Sequence, residues 1–589
     1  MSIDEATALV LIRSFVQRIE RNSGAENYTL RGTISLEEFR ALELLSGQSS
    51  EPVTTTTAKT VSYKLNLACI ESVEKSPEDL LLCIDFGTAM SKAWATGSRP
   101  DRQIPLLLGL RAGQGSGLPL VSAVFIARNG RLYFGKAAET LGNDNARHGH
   151  KRFDNLKRIL SQGADDRDPD AVPIAREINP TSTEISQGEL IVLYLAFLTD
   201  MALTDLCQVE AKRLRGMPVD ADDVELTADE LRPRFVQRRF ALPCFGGQRA
   251  VAVKKWLRNA ILKAQILADT FSKNWEHLTL EEARAALDEV AKLHSLPTHL
   301  LDENSAVAEP IAAASSRYQD TIDQLLSAPG LEAELAKAGI DRLRRSLLVV
   351  DAGAGTTDFA MLAVVHEIEK GMSSFFTVSP SVDFEYAAGN SIDAALREAI
   401  VRKHGIARDR MSGDEFEQVE SDLDARIRDI KETLLRTGRY EAVLGPATAI
   451  EMTRDEFLTD PGLKKLSDRL REKLKSVLGR LGDRYFETMA GRAEEVLVLI
   501  TGGSGQMEIF QSLGKGRLEV KGVSFKFKLV KDVPASIENV GLGAVYPQMA
   551  VSAGGAAKEL PREAAELPAQ VAVAPVGERI LEKYQTQGL

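Results

Sequence analysis

The chain has 589 residues, of which 44% are hydrophobic and 27% charged, and a formal net charge of −11. That length allows several domains with ample core, and the acidic balance argues against a dedicated nucleic-acid binder. The cysteines Cys69, Cys83, Cys207 and Cys244 form no C-x-x-C pair and read as buried thiols of a reducing cytoplasm, against a disulfide frame or a zinc site.

Residues 1–78 read as an accessory segment. The opening MSIDEATALVLIRSFV carries acids where a secretory signal needs bases, so a cytoplasmic location is expected. No apolar run approaches the ~18 residues of a membrane span. Leu9, Ile12, Val16 and Ile19 recur at helical spacing, and Ser35 with Glu38 forms a capping-box pattern ahead of Phe39. Thr54 to Thr57 reads as a linker, and Val61, Tyr63, Leu65 and Leu67 alternate as a strand would.

Leu80 to Ile84 is an apolar strand that ends in Asp85 and runs into Phe86, Gly87, Thr88, Ala89, Met90 and Ser91. Further along, His148 and His150 lack the thiolate or carboxylate spacing that would complete a metal site. Lys212 to Arg234 and Trp256 to Leu300 are polar and helical insertions, the second with a capping box at Thr279 and Glu282. Then the first pattern returns. Leu347 to Val350 ends in Asp351; Ala352, Gly353, Ala354 and Gly355 make a small-residue turn; Thr356, Thr357 and Asp358 lead into a second apolar run from Phe359.

Each copy predicts strand, tight turn, strand. Glycines at such turns let backbone N–H groups approach an anion, and the threonines add hydroxyl donors. The carboxylates would repel a phosphate unless a cation lay between, so the pattern calls for Mg²⁺ held through oxygen ligands and water. An ordinary glycine-turned hairpin is the plain alternative for either copy alone, and the repetition favours a nucleotide. A third element, EVLVLITGGSG from Glu495 to Gly505, is a buried strand ending in a glycine turn against which a nucleoside can lie. From Val551 to Pro575 the sequence is rich in Ala, Gly, Glu and Pro and reads as a loose tail.

Taken in order, DFGT at Asp85, EPIAAA at Glu309, DAGAGTTD at Asp351 and TGGSG at Thr501 resemble the actin-like ATPase superfamily, closest to the nucleotide-binding domain of the 70-kDa heat-shock (DnaK-type) chaperones. Phe153, Asp154, Lys157 and Arg158 resemble that family's FDAKRLIG stretch with one extra residue, and Pro243, Cys244, Phe245 and Arg249 its P-x-Y-F strand end. Gly389 to Asp393 resembles its GG-x-DFD turn, Thr453 to Phe457 its TRARF, and Gly541 to Ala544 its GAA helix.

The resemblance implies a two-lobed α/β fold with duplicated, five-stranded ribonuclease-H-like sheets and ATP in the cleft. It divides the chain into an accessory segment (1–78), lobe I with helical insertions (79–345), lobe II (346–532), a helix returning to lobe I (533–548) and a flexible tail (549–589). It further implies that Asp85, Asp351 and Asp358 surround Mg²⁺, mostly through water. Thr88 and the amides of Gly87, Gly353, Gly355 and Thr356, near Thr357, would hold phosphate oxygens. Lys157 would place the attacking water, with Glu309 behind it. Gly389, Lys431, Gly502, Gly503 and Ser504 would frame the nucleoside.

Two departures stand out. Glu432 and Gln506 occupy the places of the arginine pair that clamps adenine in the family, and Arg428 stands where an acid contacts the base. After Ala544 neither the leucine linker nor a peptide-binding β-domain is expected. The leading expectation is a slow, Mg²⁺-dependent, chaperone-like ATPase that cycles between open and closed lobes and acts on a protein partner, with no nucleic acid and no membrane span. A filament-forming actin-like scaffold and a nucleotide-holding module with little turnover are the alternatives.

Overall fold

The computed structural model describes residues 19–21 and 28–30 and most of 63–567; within the latter range, 72–79, 98–101, 114–116, 147–148, 158–159, 161–167, 245–246, 327–332, 334–335, 338–340, 531–532, 539–540, 542 and 545 are not described. The helical stripe at Leu9 to Val16, the Ser35–Glu38 pair, the threonine cluster and Arg158 lie outside the described residues. Two compact units are distinguished, Met1–Val61 and Ser62–Leu589. In the first, β1 (Ile19–Arg21) pairs antiparallel with β2 (Tyr28–Leu30), so Ile19 closes no helix.

The second unit is mixed α/β. Its first sheet has the order β11-β10-β3-β4-β5, with β6 beside β4. The members are β3 (Leu81–Asp85), β4 (Met90–Thr96), β5 (Gln103–Pro105), β6 (Leu120–Val121), β10 (Gln237–Leu242) and β11 (Leu301–Ala308). A small antiparallel sheet is made by β7 (Ala123–Ile126), β8 (Leu132–Phe134) and β9 (Phe153–Asp154). The other large sheet runs β19-β20-β18-β12-β13-β14-β21, with β15 beside β13. It comprises β12 (Arg342–Ala352), β13 (Thr357–Glu367), β14 (Met372–Val378), β15 (Asp383–Glu385), β18 (Ala493–Thr501), β19 (Arg517–Val520), β20 (Val523–Leu529) and β21 (Arg562–Ala564). A separate hairpin joins β16 (Arg439–Leu444) to β17 (Thr448–Thr453). The large sheets thus hold six and eight strands, where five each were expected. Both begin with an antiparallel hairpin and continue in parallel, through β10 in one case and β18 in the other.

The named helices are α1 (Gly135–Ala146), α2 (Gln187–Leu214), α3 (Gly247–Phe271), α4 (Leu280–Ala291), α5 (Glu309–Ser315), α6 (Gly389–His404), α7 (Gly413–Thr437), α8 (Pro461–Leu478) and α9 (Tyr546–Gly555). Helix α2 starts at a capping box formed by Ser186 and Glu189. By length and composition it is apolar enough to cross a membrane, although Asp200 and Asp205 interrupt its apolar run, and 94% of its most apolar window is buried inside the protein. It is the core helix under the first sheet, packed with Phe134, Phe271 and Trp275. Helix α4 starts at the expected Thr279–Glu282 capping box. Tyr63, Leu65 and Leu67 form no strand; they pack as an irregular segment on this core, Tyr63 edge-on to Phe271.

The C-terminal segment is ordered well past the point where a tail was expected. Helix α9 is buried to Gly555 and crosses α5 so closely that a Cβ on Gly554 would lie 1.8 Å from the Ala312 carbonyl oxygen. Beyond it, Thr96 Oγ1 donates to Ala556 O at 2.5 Å and Arg239 Nη1 to Ala557 O at 2.5 Å. The chain then adds β21 in parallel to β14 and buries Leu567 in the core of the second sheet. Apolar side chains at Leu560 and Leu567, spaced within a polar run, provide the anchors that composition alone concealed.

Candidate active site

The two hairpins bring their turns to one cleft of about 520 Å³, within the usual range for small-molecule sites. In the first, register sets Asp85 opposite Lys92, whose Nζ lies 3.2 Å from Asp85 Oδ2. In the second, Asp351 stands directly opposite Asp358. Like charges facing each other across a strand pair are destabilising, so this sheet position is set against its own stability.

The acids are buried. Asp358 is well held: its Oδ1 accepts from the Cys244 backbone N–H at 2.9 Å and its Oδ2 from Thr356 Oγ1 at 2.7 Å. Asp351 Oδ1 is buried with no hydrogen-bond partner. Burial, reinforced by Asp358 and Asp85, pushes the Asp351 carboxyl up to about 7. Burial raises Asp358 as well, against the pull of Lys157. Lys157 follows β9, is buried, and forms an ion pair with Glu309 at the start of α5. Burial lowers its pKa, opposed by the attraction of Asp85, Asp358 and Asp351.

Of the residues singled out from sequence, Asp85, Gly87, Thr88, Lys157, Glu309, Asp351, Gly353, Gly355, Thr356, Gly389, Lys431, Gly502, Gly503 and Ser504 all line the cleft. Asp358 lies just behind them through Thr356. Thr357 does not belong: strand alternation turns its side chain away, and its Oγ1 donates to Ala387 O at 2.7 Å. Two of the amides expected to hold phosphate are engaged within their own turns. Gly87 N donates to Ser91 Oγ at 3.3 Å and Gly353 N to Thr356 O at 3.0 Å. Of that set, Gly355, Thr356 and Thr88 line the cleft without such an engagement of their backbone N–H groups inside the turn.

Behind the second turn, Gly389 N donates to Gly353 O at 3.1 Å and Asn390 N to Ala354 O at 2.7 Å. Ser504 N donates to Ala352 O at 3.0 Å and Ser504 Oγ to Gly353 O at 3.1 Å. Gly502, at φ +87°, leaves room for this contact, since a Cβ there would lie 2.4 Å from Ala352 O. Ser504 thus braces the hairpin, and the face of Gly503, where a Cβ would meet nothing within 4 Å, is left for a ligand.

At the outer end, Lys431 Nζ is paired with Asp393 Oδ1 at 2.6 Å. Arg428, Glu432, Leu435, Arg436, Arg454, Gln506 and Met507 complete the wall. The sequence reading missed Lys92, Arg436 and Arg454. Lys92 had a signal, as the one cation in the otherwise apolar or small β4. Arg436 lies one helical turn beyond Glu432 on α7, a spacing that shares a face.

Among the described residues no group of three or more His, Cys, Asp or Glu side chains is arranged to hold a metal ion by itself. A cation carried through water by Asp85, Asp351 and Asp358 fits the chemistry of the site. It would engage the unpartnered Asp351 oxygen and relieve the facing carboxylates. In comparison with known proteins, no family model matches the sequence and no curated protein matches it.

Proposed function

We propose that this chain is a Mg²⁺-dependent ATPase of the actin-like, two-lobed kind, closest in its motifs to the DnaK-type chaperones, which closes around ATP and acts on a protein partner. The observation that carries this reading is the meeting of Asp85, Asp351 and Lys157 at one cleft, with Asp358 directly behind and a buried Asp351 oxygen unpartnered. Phosphoryl transfer needs charge neutralisation and an aligned water more than covalent help.

In this mechanism Thr88 and the amides of Gly355 and Thr356 hold the phosphate oxygens. Lys157 lies beside the γ-phosphate and orients the attacking water, and Glu309 fixes the Lys157 ammonium. Asp85, Asp351 and Asp358 would hold Mg²⁺ through water, and the ion would supply charge neutralisation for the phosphate chain. Lys92 adds a second cation next to Asp85. For the partner, the end of α2 and the insertion that follows it offer apolar surface: Leu214 and Val219 are each 65% exposed.

Phosphate release from ATP tests the reading. The wild type should hydrolyse slowly and only with Mg²⁺, and Asp85→Ala and Asp358→Ala should each abolish turnover. Wild-type rates in both variants would remove the proposal. Sedimentation with and without ATP separates a filament from a monomeric cycle, and a pull-down with the ATP-locked Asp358→Ala protein identifies the partner.

A further inference from the structure

The stretch that delivers Lys157 to the cleft has an unusual backbone. Among the described non-glycine residues, only Asn155 and Lys521 adopt positive φ, and Asn155 sits at φ +54°. Asparagine tolerates this left-handed region better than most residues. Asn155 stands where RFDNLKRIL is one residue longer than the stretch it resembles. The left-handed turn absorbs the extra residue, so that Leu156 is buried and Lys157 still meets Glu309.

The side chain of Asn155 has a second engagement. Its Nδ2 donates to Asp154 Oδ1 at 2.9 Å, and Asp154 Oδ2 in turn accepts from Arg152 Nε at 3.0 Å. Its Oδ1 accepts from Asn390 Nδ2 at 3.2 Å. Asn390 opens α6 and donates its backbone N–H to Ala354 O, inside the turn of the second hairpin. A continuous path therefore runs from Arg152 through Asp154 and Asn155 to Asn390 and the Ala354–Gly355 turn, and Lys157 is two residues from its centre.

We propose that Asn155 and Asn390 form a clasp across the cleft, and that Asn155 is a positioning residue that aims Lys157 once the clasp is made. This rests on the ATPase reading above. The clasp links the side of the cleft that carries Lys157 to the turn that holds phosphate, so closure on ATP and placement of the lysine become one event. An opened cleft breaks the Asn155–Asn390 bond and releases the aim of Lys157, which restrains hydrolysis to the closed state.

The test measures ATP turnover and affinity in wild type, Asn155→Gly, Asn155→Ala, Asn390→Ala and the double variant Asn155→Gly/Asn390→Ala. Glycine keeps the left-handed backbone while removing the side chain. Asn155→Gly and Asn390→Ala should each lower turnover at saturating ATP about 2- to 10-fold, the range of one lost neutral hydrogen bond, with ATP affinity falling by no more than the same factor. The double variant should be no slower than the slower single, since both remove one contact. Asn155→Ala should be slower than Asn155→Gly, because its backbone is strained at this φ. Full turnover in both single variants, or losses that multiply in the double, overturns the clasp; equal rates for Asn155→Ala and Asn155→Gly overturn the aiming role of the turn. A wild type that neither binds nor hydrolyses ATP removes the ATPase reading itself and this inference with it.

Discussion

Gly355 rests against Thr88 across the cleft: a Cβ on Gly355 would lie 3.0 Å from the Thr88 hydroxyl oxygen and 3.3 Å from its methyl group. The two hairpins therefore meet turn to turn, with the missing side chain of one making room for the hydroxyl of the other.

Gly355→Ala should push Thr88 out of line with the phosphate site. On the proposed role of both residues at the phosphate, ATP affinity is expected to fall about tenfold, roughly 1.4 kcal/mol, while the melting temperature changes little. Titration calorimetry and a thermal melt together check this. Unchanged affinity would mean that the phosphate lies elsewhere along the cleft.

Lys157 and Glu309 are buried together, so removing one exposes the other as an unpaired buried charge. Lys157→Met should cost about 3–5 kcal/mol of stability for this reason alone. Adding Glu309→Gln should restore much of the melting temperature, because the remaining charge is gone. Turnover should stay low in both, with ATP binding largely kept, if the lysine has its proposed role on the transition state more than on the ground state. Recovery of turnover in the double variant would give Lys157 a structural role only.

The buried carboxyls predict an unusual pH dependence. The Asp351 carboxyl is raised to about 7 by burial and its acidic neighbours, and Asp358 is raised too. A carboxyl raised on folding favours the protonated native state, so the folded protein is penalised as pH climbs from about 4 to about 7, and the full penalty holds above that. Without metal, the melting temperature should fall over this interval. Mg²⁺ with ADP should remove most of the slope, because the cation favours the ionised carboxylates. Equal slopes with and without Mg²⁺ would place the metal away from Asp351.

Much of the site was legible because the chemistry repeats. Acid, glycine and hydroxyl after an apolar run occur twice, and the structure brings Asp85, Thr88, Asp351 and Gly355 to the same cleft. What sequence could not supply was pairing. Whether a glycine amide faces a ligand or its own turn depends on the hydrogen bonds of Gly87 to Ser91 and of Gly353 to Thr356, which no spacing rule gives. Thr357 was misplaced for lack of the strand's phase, a one-residue distinction. The C-terminal segment misled through composition: few apolar residues can still order a chain when they pack on a core, as the half-buried Leu560 and the buried Leu567 do.

That segment yields a prediction of its own. Leu567 is buried in the core of the second sheet, and Leu567 N donates to Leu481 O at 3.1 Å. Leu567→Ala should destabilise the protein by about 2–5 kcal/mol, measured by urea unfolding. A loose tail would show no change.

The last prediction concerns the nucleobase. A guanidinium over an aromatic face is worth about 0.5–2 kcal/mol. On the proposed resemblance, Glu432 and Gln506 stand where two such groups would be, and Lys431 is committed to Asp393 at 2.6 Å, which leaves it little to offer a base. Arg428, Arg436 and Arg454 line the same cleft and bring guanidinium groups to it. A guanidinium can cover a base by its π-face, which every purine presents, without reading its edge. The site should therefore bind ATP and GTP with affinities within about tenfold of each other, a difference of roughly 1.4 kcal/mol. Arg436→Ala should weaken both nucleotides by about 2- to 10-fold, the loss of one cation–π contact, and Lys431→Ala should leave both nearly unchanged. Calorimetric titration of the three proteins with both nucleotides decides the matter. Strong adenine preference that is lost in Lys431→Ala would show that the Lys431–Asp393 pair opens on binding and reads the base directly.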